Sequence, residues 1–184
     1  MHWKTLGSEY LFREPWLTVR RDICETPMGK HVDAYYVLEY PDWVNAMALT
    51  EDGKVLLIRQ YRHAIGRVLE EIPGGVMDPE DAGPEVAIRR ELLEETGYAF
   101  SEIYGLGEVS ANPSTTTNLV HMFLAVGGKK VQEQDLDDNE EIEVLTVSIE
   151  ELREMLKKRE FLQALHVTCL YYGLEKLAEL QAKQ

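Results

Sequence analysis

Along the first third of the chain, apolar and polar residues alternate in short runs. Residues 16–23 and 32–38 are rich in Val, Ile, Leu and Tyr, and alternation with that composition marks strands with one buried face. Pro27-Met28-Gly29-Lys30 separates them as a turn. Residues 44–50 and 55–61 form a second such pair around Glu51-Asp52-Gly53-Lys54. Asp-Gly between two apolar runs predicts a hairpin. The pattern then breaks. Residues 62–84 hold four of the 13 glycines and three of the seven prolines, which predicts a long irregular, functional loop. A helix is predicted from Pro84, a residue favoured in a first turn, with Gly97 as a natural stop. Strands are predicted over 103–109, 119–126 and 144–147. Helices are predicted over 149–158, with Ser148 as N-cap and Glu151 three residues on, and over 161–181. In the last, Leu170, Leu174 and Leu177 form an apolar stripe suited to core or dimer packing.

Strands, one central helix, more strands and terminal helices add up to an α+β chain, with the central helix packed on a mixed sheet. The helices are too few for a doubly wound fold. Neither a Walker loop nor a dinucleotide fingerprint is present in the sequence.

Composition narrows the function classes. The chain has 184 residues and a net charge of −14. An acidic surface opposes binding to nucleic acid or to an anionic membrane, and no apolar run reaches the ~18 residues of a membrane span. Cys24 and Cys169 fit no zinc spacing and no disulfide framework, which predicts a reducing, cytoplasmic setting. A small anionic substrate stays compatible if a metal or an arginine reverses the local sign.

The candidate chemistry lies in Arg90-Glu91-Leu92-Leu93-Glu94-Glu95-Thr96-Gly97-Tyr98. On a helix, Glu91, Glu94 and Glu95 share one face. Three carboxylates side by side repel one another unless a cation lies between them, and all-oxygen ligands suit Mg²⁺ or Mn²⁺. A solvated acidic face is the structural alternative. A second acidic stretch, residues 132–143, carries no basic residue. His63 and His121 have no partner spacing and read as structural or surface residues.

Pro73-Gly74-Gly75 followed by the run from Arg90 to Tyr98 resembles the Nudix box. The second half of the box matches at each fixed position. In the first half the spacer is one residue too long: counting from Gly75, the family's Glu position holds Asp81, whereas counting back from Arg90 it falls on Ala82. A one-residue insertion in the loop 78–83 accounts for the offset. Three further segments are similar to the nucleoside diphosphate sugar, or ADP-sugar, pyrophosphatase branch. They are Ile58-Arg59-Gln60-Tyr61-Arg62 with Glu71-Ile72-Pro73-Gly74-Gly75, Pro113 at sixteen residues beyond Gly97, and Asp138-Asn139-Glu140-Glu141-Ile142-Glu143-Val144. Asn112-Pro113-Ser114 departs from the Ser-Pro-Gly common in that branch.

The resemblance implies a mixed-sheet α/β/α sandwich with an N-terminal antiparallel strand extension and C-terminal helices. It implies a strand region over 1–40 that dimerises, its residues lining the partner's site, and a hydrolase domain over 41–184. The implied reaction is Mg²⁺-dependent hydrolysis of a nucleotide sugar such as ADP-ribose. The alternatives are GDP-mannose, a dinucleoside polyphosphate, or sensing without hydrolysis. Metal ligands would be Gly74, Glu91, Glu94, Glu95 and Glu140. Catalysis would involve Glu140, with Asp138 second, together with Glu94 and Arg90. Arg62, Glu71 and Pro113 would meet the substrate.

Overall fold

The computed structural model describes residues 1–137 and 139–183, and the chain forms two compact units. The first comprises Met1–Asp42 and Ser110–Leu119. Its core is an antiparallel sheet in the order β1-β2-β3, with β1 at Lys4–Glu14, β2 at Leu17–Glu25 and β3 at His31–Glu39. A two-residue turn, Pro15-Trp16, joins β1 to β2, since Glu14 pairs with Leu17. Arg20 is paired with Asp22 at 2.8 Å and also with Glu39. The 110–119 segment lies along β3, where Leu38 N donates to Thr115 O and Thr117 N to Leu38 O. Little of β1 is buried; Leu6, Tyr10, Leu11 and Phe12 are all exposed.

The second unit comprises Trp43–Val109 and Val120–Gln184. It is built on a seven-stranded mixed sheet whose main path runs β10-β5-β4-β9-β7. These strands are β4 Trp43–Thr50, β5 Val55–Arg62, β7 Tyr98–Ala99, β9 Leu119–Lys130 and β10 Glu143–Val147. Off that path, β6 Arg67–Glu71 pairs with β5 and β8 Glu102–Ser110 with β9. The central pair β4–β9 is parallel, and β4 is buried from Val44 through Thr50, as expected for a strand covered on both faces. Its alternate residues serve different layers. Val44, Ala46 and Ala48 pack with Ala87, Ile88 and Leu92 of α1, Pro84–Thr96. Met47 and Leu49 pack with Leu152 and Leu156 of α2, Ile149–Lys158, and with Leu170 and Leu174 of α3, Ala164–Gln181. The unit is therefore an α/β/α sandwich. No helix among the described residues is long and apolar enough to cross a membrane.

Three expectations need correction. The first strand starts at Lys4, well before residue 16, because Gly7 and the charged residues of β1 blur its alternation. The 62–84 stretch is not irregular throughout. Strand β6 lies inside it, paired from Arg62↔Arg67 to Ile58↔Glu71 around a short 3₁₀ turn, and its three charged residues conceal it from the pattern. The last helix begins at Ala164; Phe161 is a buried plug in the core ahead of it. The capping box at Ser148 and Glu151 forms as expected.

Candidate active site

Helix α1 presents the acidic stripe. Pro84 stands at its first position and Gly97 closes it in the left-handed region at φ 75°, its N–H donating to Leu93 O at 2.9 Å. Because Ile88, Leu92 and Ala87 face the sheet, helical geometry turns Glu95 inward at one side of the buried face and Glu91 and Glu94 toward its margin. Glu95 is buried at 4% exposure. Its carboxylate accepts the Gly74 N–H at 2.8 Å.

The Gly74-Gly75 loop is held by β4, whose Ala46 and Val44 amides donate to Pro73 O at 3.1 Å and Gly75 O at 2.9 Å. Gly74 has φ 151°, and a Cβ there would run into the Val44 carbonyl. A Cβ on Gly75 would stand 2.6 Å from Glu91 Oε2. Gly74 is required by its positive φ and its approach to the β4 backbone, Gly75 by its approach to the Glu91 carboxylate.

Arg90 is the hub of the exposed side. One guanidinium nitrogen donates to Glu91 Oε1 at 3.0 Å and Glu94 Oε2 at 2.9 Å. The other reaches Asp81 and Val76 O, each at 3.0 Å, and Asp78 at 3.3 Å. Asp81 and then the two glutamates raise the Arg90 pKa above its ordinary value, and Arg90 in turn holds the Asp81 carboxyl below its own. Burial pushes the Glu91 carboxyl up to about 7, with Glu94 and Glu140 adding to it and Arg90 opposing. Burial also raises Glu95 well above the carboxylate range. The Gly74 N–H and Arg62 oppose this rise, while the charges of Glu91 and Glu140 add to it. Behind the stripe, Glu71 is 1% exposed and accepts two bonds from Arg62, at 3.0 and 2.6 Å.

This donor set fits a hard divalent cation. Its groups are carboxylates, Glu95 buried and Glu91 partly so, both held back from ionising chiefly by burial with the charge of Glu140 adding at each, and a dication would favour their charged forms. Among the described residues no three His, Cys, Asp or Glu side chains already converge on one point; Arg90 instead draws Glu91 and Glu94 to itself.

A family model described as the NUDIX domain matches residues 40–165. The chain belongs to the Nudix family. A second model, the nucleoside diphosphate sugar hydrolase N-terminal domain, matches residues 3–38 of this Nudix hydrolase. It is 29% identical to an ADP-ribose pyrophosphatase of Bacillus subtilis (strain 168), over 98% of this chain and 97% of that protein. It is 33% identical to a GDP-mannose pyrophosphatase of Escherichia coli (strain K12), over 67% of this chain and 68% of that protein. A crystal structure of an ADP compounds hydrolase superposes with a TM-score of 0.86 at 21% identity, over 98% of this chain and 96% of that one, which shows the shared fold.

The Nudix fold brings Gly74, Glu91, Glu94, Glu95 and Arg90 together, with Arg62 and Glu71 on the adjoining β5–β6 hairpin. Glu140 is on an exposed loop, and its charge is felt at both Glu91 and Glu95. Asp138 lies outside the described residues. Pro113 is in an exposed turn of the first unit. His121 stands 3.5 Å from Glu108. Two residues gain a part that the sequence reading did not give them. The inserted residue is absorbed in a turn where Asp81 N donates to Asp78 O, so Asp81 still reaches Arg90. Gln134 bonds the backbone at Glu95. Its only sequence signal is being a neutral amide within an acidic run.

Proposed function

We propose that this Nudix hydrolase cleaves the pyrophosphate of a nucleoside diphosphate sugar, releasing a nucleoside monophosphate and a sugar phosphate. ADP-ribose is the first substrate to test and GDP-mannose the next. The observation that carries the reading is the crowding of the Glu91 and Glu95 carboxylates against Gly74-Gly75, with Glu140 close enough to repel both. The names of the relatives, pyrophosphatases of ADP-ribose and of GDP-mannose, and the N-terminal match support the substrate class.

The cofactor in this reading is Mg²⁺, with Mn²⁺ as a substitute, held by Glu91, Glu94, Glu95, Glu140 and the Gly74 carbonyl. When bound, the ion neutralises the pyrophosphate and lowers the pKa of water. Glu140 takes the proton of the attacking water, with Asp138 as second candidate. Arg62, braced from below by Glu71, offers its guanidinium to a phosphate or the terminal sugar. Arg90 holds Glu91 and Glu94 in register. A homodimer built on residues 1–40 belongs to the same proposal. It is supported by the apolar side chains that β1 leaves exposed.

The test is a panel of nucleotide sugars and dinucleoside polyphosphates with Mg²⁺, read as release of nucleoside monophosphate. Glu95→Gln keeps an acceptor for the Gly74 N–H and is expected to lower kcat by about a hundredfold or more with its unfolding midpoint unchanged. Turnover near wild type in that variant sinks the site. Tight binding of one nucleotide sugar with no turnover of any would point to a sensor.

A further inference from the structure

The loop that carries Glu140 is fastened to the end of the helix that carries the acidic stripe. A helix ends with carbonyls that lack an intrahelical partner. In α1 these are met in succession. Gly97 N donates to Leu93 O and Asp135 N to Glu94 O, each at 2.9 Å. The Gln134 side-chain amide donates to Glu95 O at 2.6 Å. The same nitrogen donates to Ile142 O at 3.1 Å. An amide NH₂ has two hydrogens, and here each has a carbonyl. Val131 and Gln132 also donate to Gly97 O.

Gln134 therefore joins three pieces of chain: the last turn of α1, the outgoing stem of the acidic loop at its own position, and the returning stem at Ile142. Glu140 is two residues before Ile142. The outgoing stem is also held by Asp135 N on Glu94 O, and the returning stem enters β10 at Glu143, paired with Arg59. A cleft of about 520 Å³ opens beside Gln134, lined by Thr96, Tyr98, Lys130, Thr146 and the returning stem from Ile142 to Val144. Losing the amide would leave the Ile142 carbonyl without this donor beside the cleft, at the point where the acidic loop returns to β10. The amide is also chemically specific, because a carboxylate at this position would set oxygen against two carbonyl oxygens.

We propose that Gln134 is a positioning residue: by clipping both stems of the acidic loop to the Glu95 carbonyl, it sets where the Glu140 carboxylate stands relative to Glu91 and Glu95. The inference rests on reading Glu140 and the α1 glutamates as one site. It acts through Glu140 alone, so its loss is masked when Glu140 is already gone.

The experiment compares Gln134→Ala, the near-isosteric Gln134→Glu, Glu140→Gln and the double variant Gln134→Ala/Glu140→Gln. Second-layer residues of metal sites typically carry 10–100-fold effects. Gln134→Ala is expected to lower kcat and Mn²⁺ affinity by roughly tenfold or more, with KM for the nucleotide sugar within about twofold. The double variant should be no worse than Glu140→Gln, since residues acting through one another are not additive. In the metal-free protein, hydrogen exchange should quicken at the amides of residues 139–142 in both Gln134 variants while the amides of α1 keep their protection. A kcat for Gln134→Ala within about twofold of wild type overturns the proposal. So does a double variant whose losses multiply, or exchange at 139–142 that does not change. If Glu140→Gln itself has wild-type kcat and Mn²⁺ affinity, the reading of Glu140 fails first, and that result is separable from the others.

Discussion

At the scale of single residues, burial decides protonation. His166 lies in the first turn of α3; it is buried, and its Nδ1 has no hydrogen-bond partner among the described residues. Burial, with the Arg62 charge adding to it, lowers its pKa from 6.5 to about 3. The unfolded chain thus binds a proton below pH 6.5 that the folded chain refuses until about pH 3. The stability from keeping this imidazole neutral is complete above pH 6.5 and is lost as pH falls toward 3, with a slope of up to about 1.4 kcal/mol per pH unit. His166→Leu should flatten that part of the curve. Urea unfolding of both proteins at several pH values between 7 and 4 measures it as a difference, since carboxylates common to both cancel. Parallel curves would remove His166 from the account.

At the scale of elements, short-range patterns were legible and long-range pairing was not. Helix α1 follows from Pro84 and Gly97, both local signals. Strand β6 was hidden because its identity comes from β5, which supplies its partners. Gly97 shows how one residue serves both levels. It ends α1 at a positive φ, and it also lies so close to the Gln132 carbonyl that any Cβ would collide with it. Gly97→Ala is expected to cost about 1–3 kcal/mol in denaturant unfolding. It should also disturb the start of the acidic loop, because Val131 and Gln132 both donate to Gly97 O. A loss no larger than that at an exposed glycine such as Gly53, where a Cβ meets nothing, would show that the close approach does not matter.

At the scale of the whole molecule, the two units differ in how they satisfy their apolar residues. The sandwich of the second unit buries them in two layers of core. The three-stranded sheet of the first leaves Trp3 at 50%, Phe12 at 55% and Trp16 at 83% exposed, more apolar surface than a lone sheet usually tolerates. Light scattering at micromolar concentration should give twice the mass of the chain, and Leu11→Glu/Phe12→Glu should shift it toward the single chain without unfolding the sandwich. A monomeric wild type would refute the dimer. The sequence by itself determined what depends on neighbours in the chain: the i, i+3, i+4 carboxylate stripe, the helix stops, the hairpin at Asp52-Gly53 and the family match. Only the tertiary structure decided what those carboxylates face. Gly74 meets Glu95 across 21 residues, Arg62 is seated on Glu71, and Gln134 reaches the Glu95 carbonyl across 39. Such contacts require strand register and helix docking to be settled first, and no local spacing encodes them.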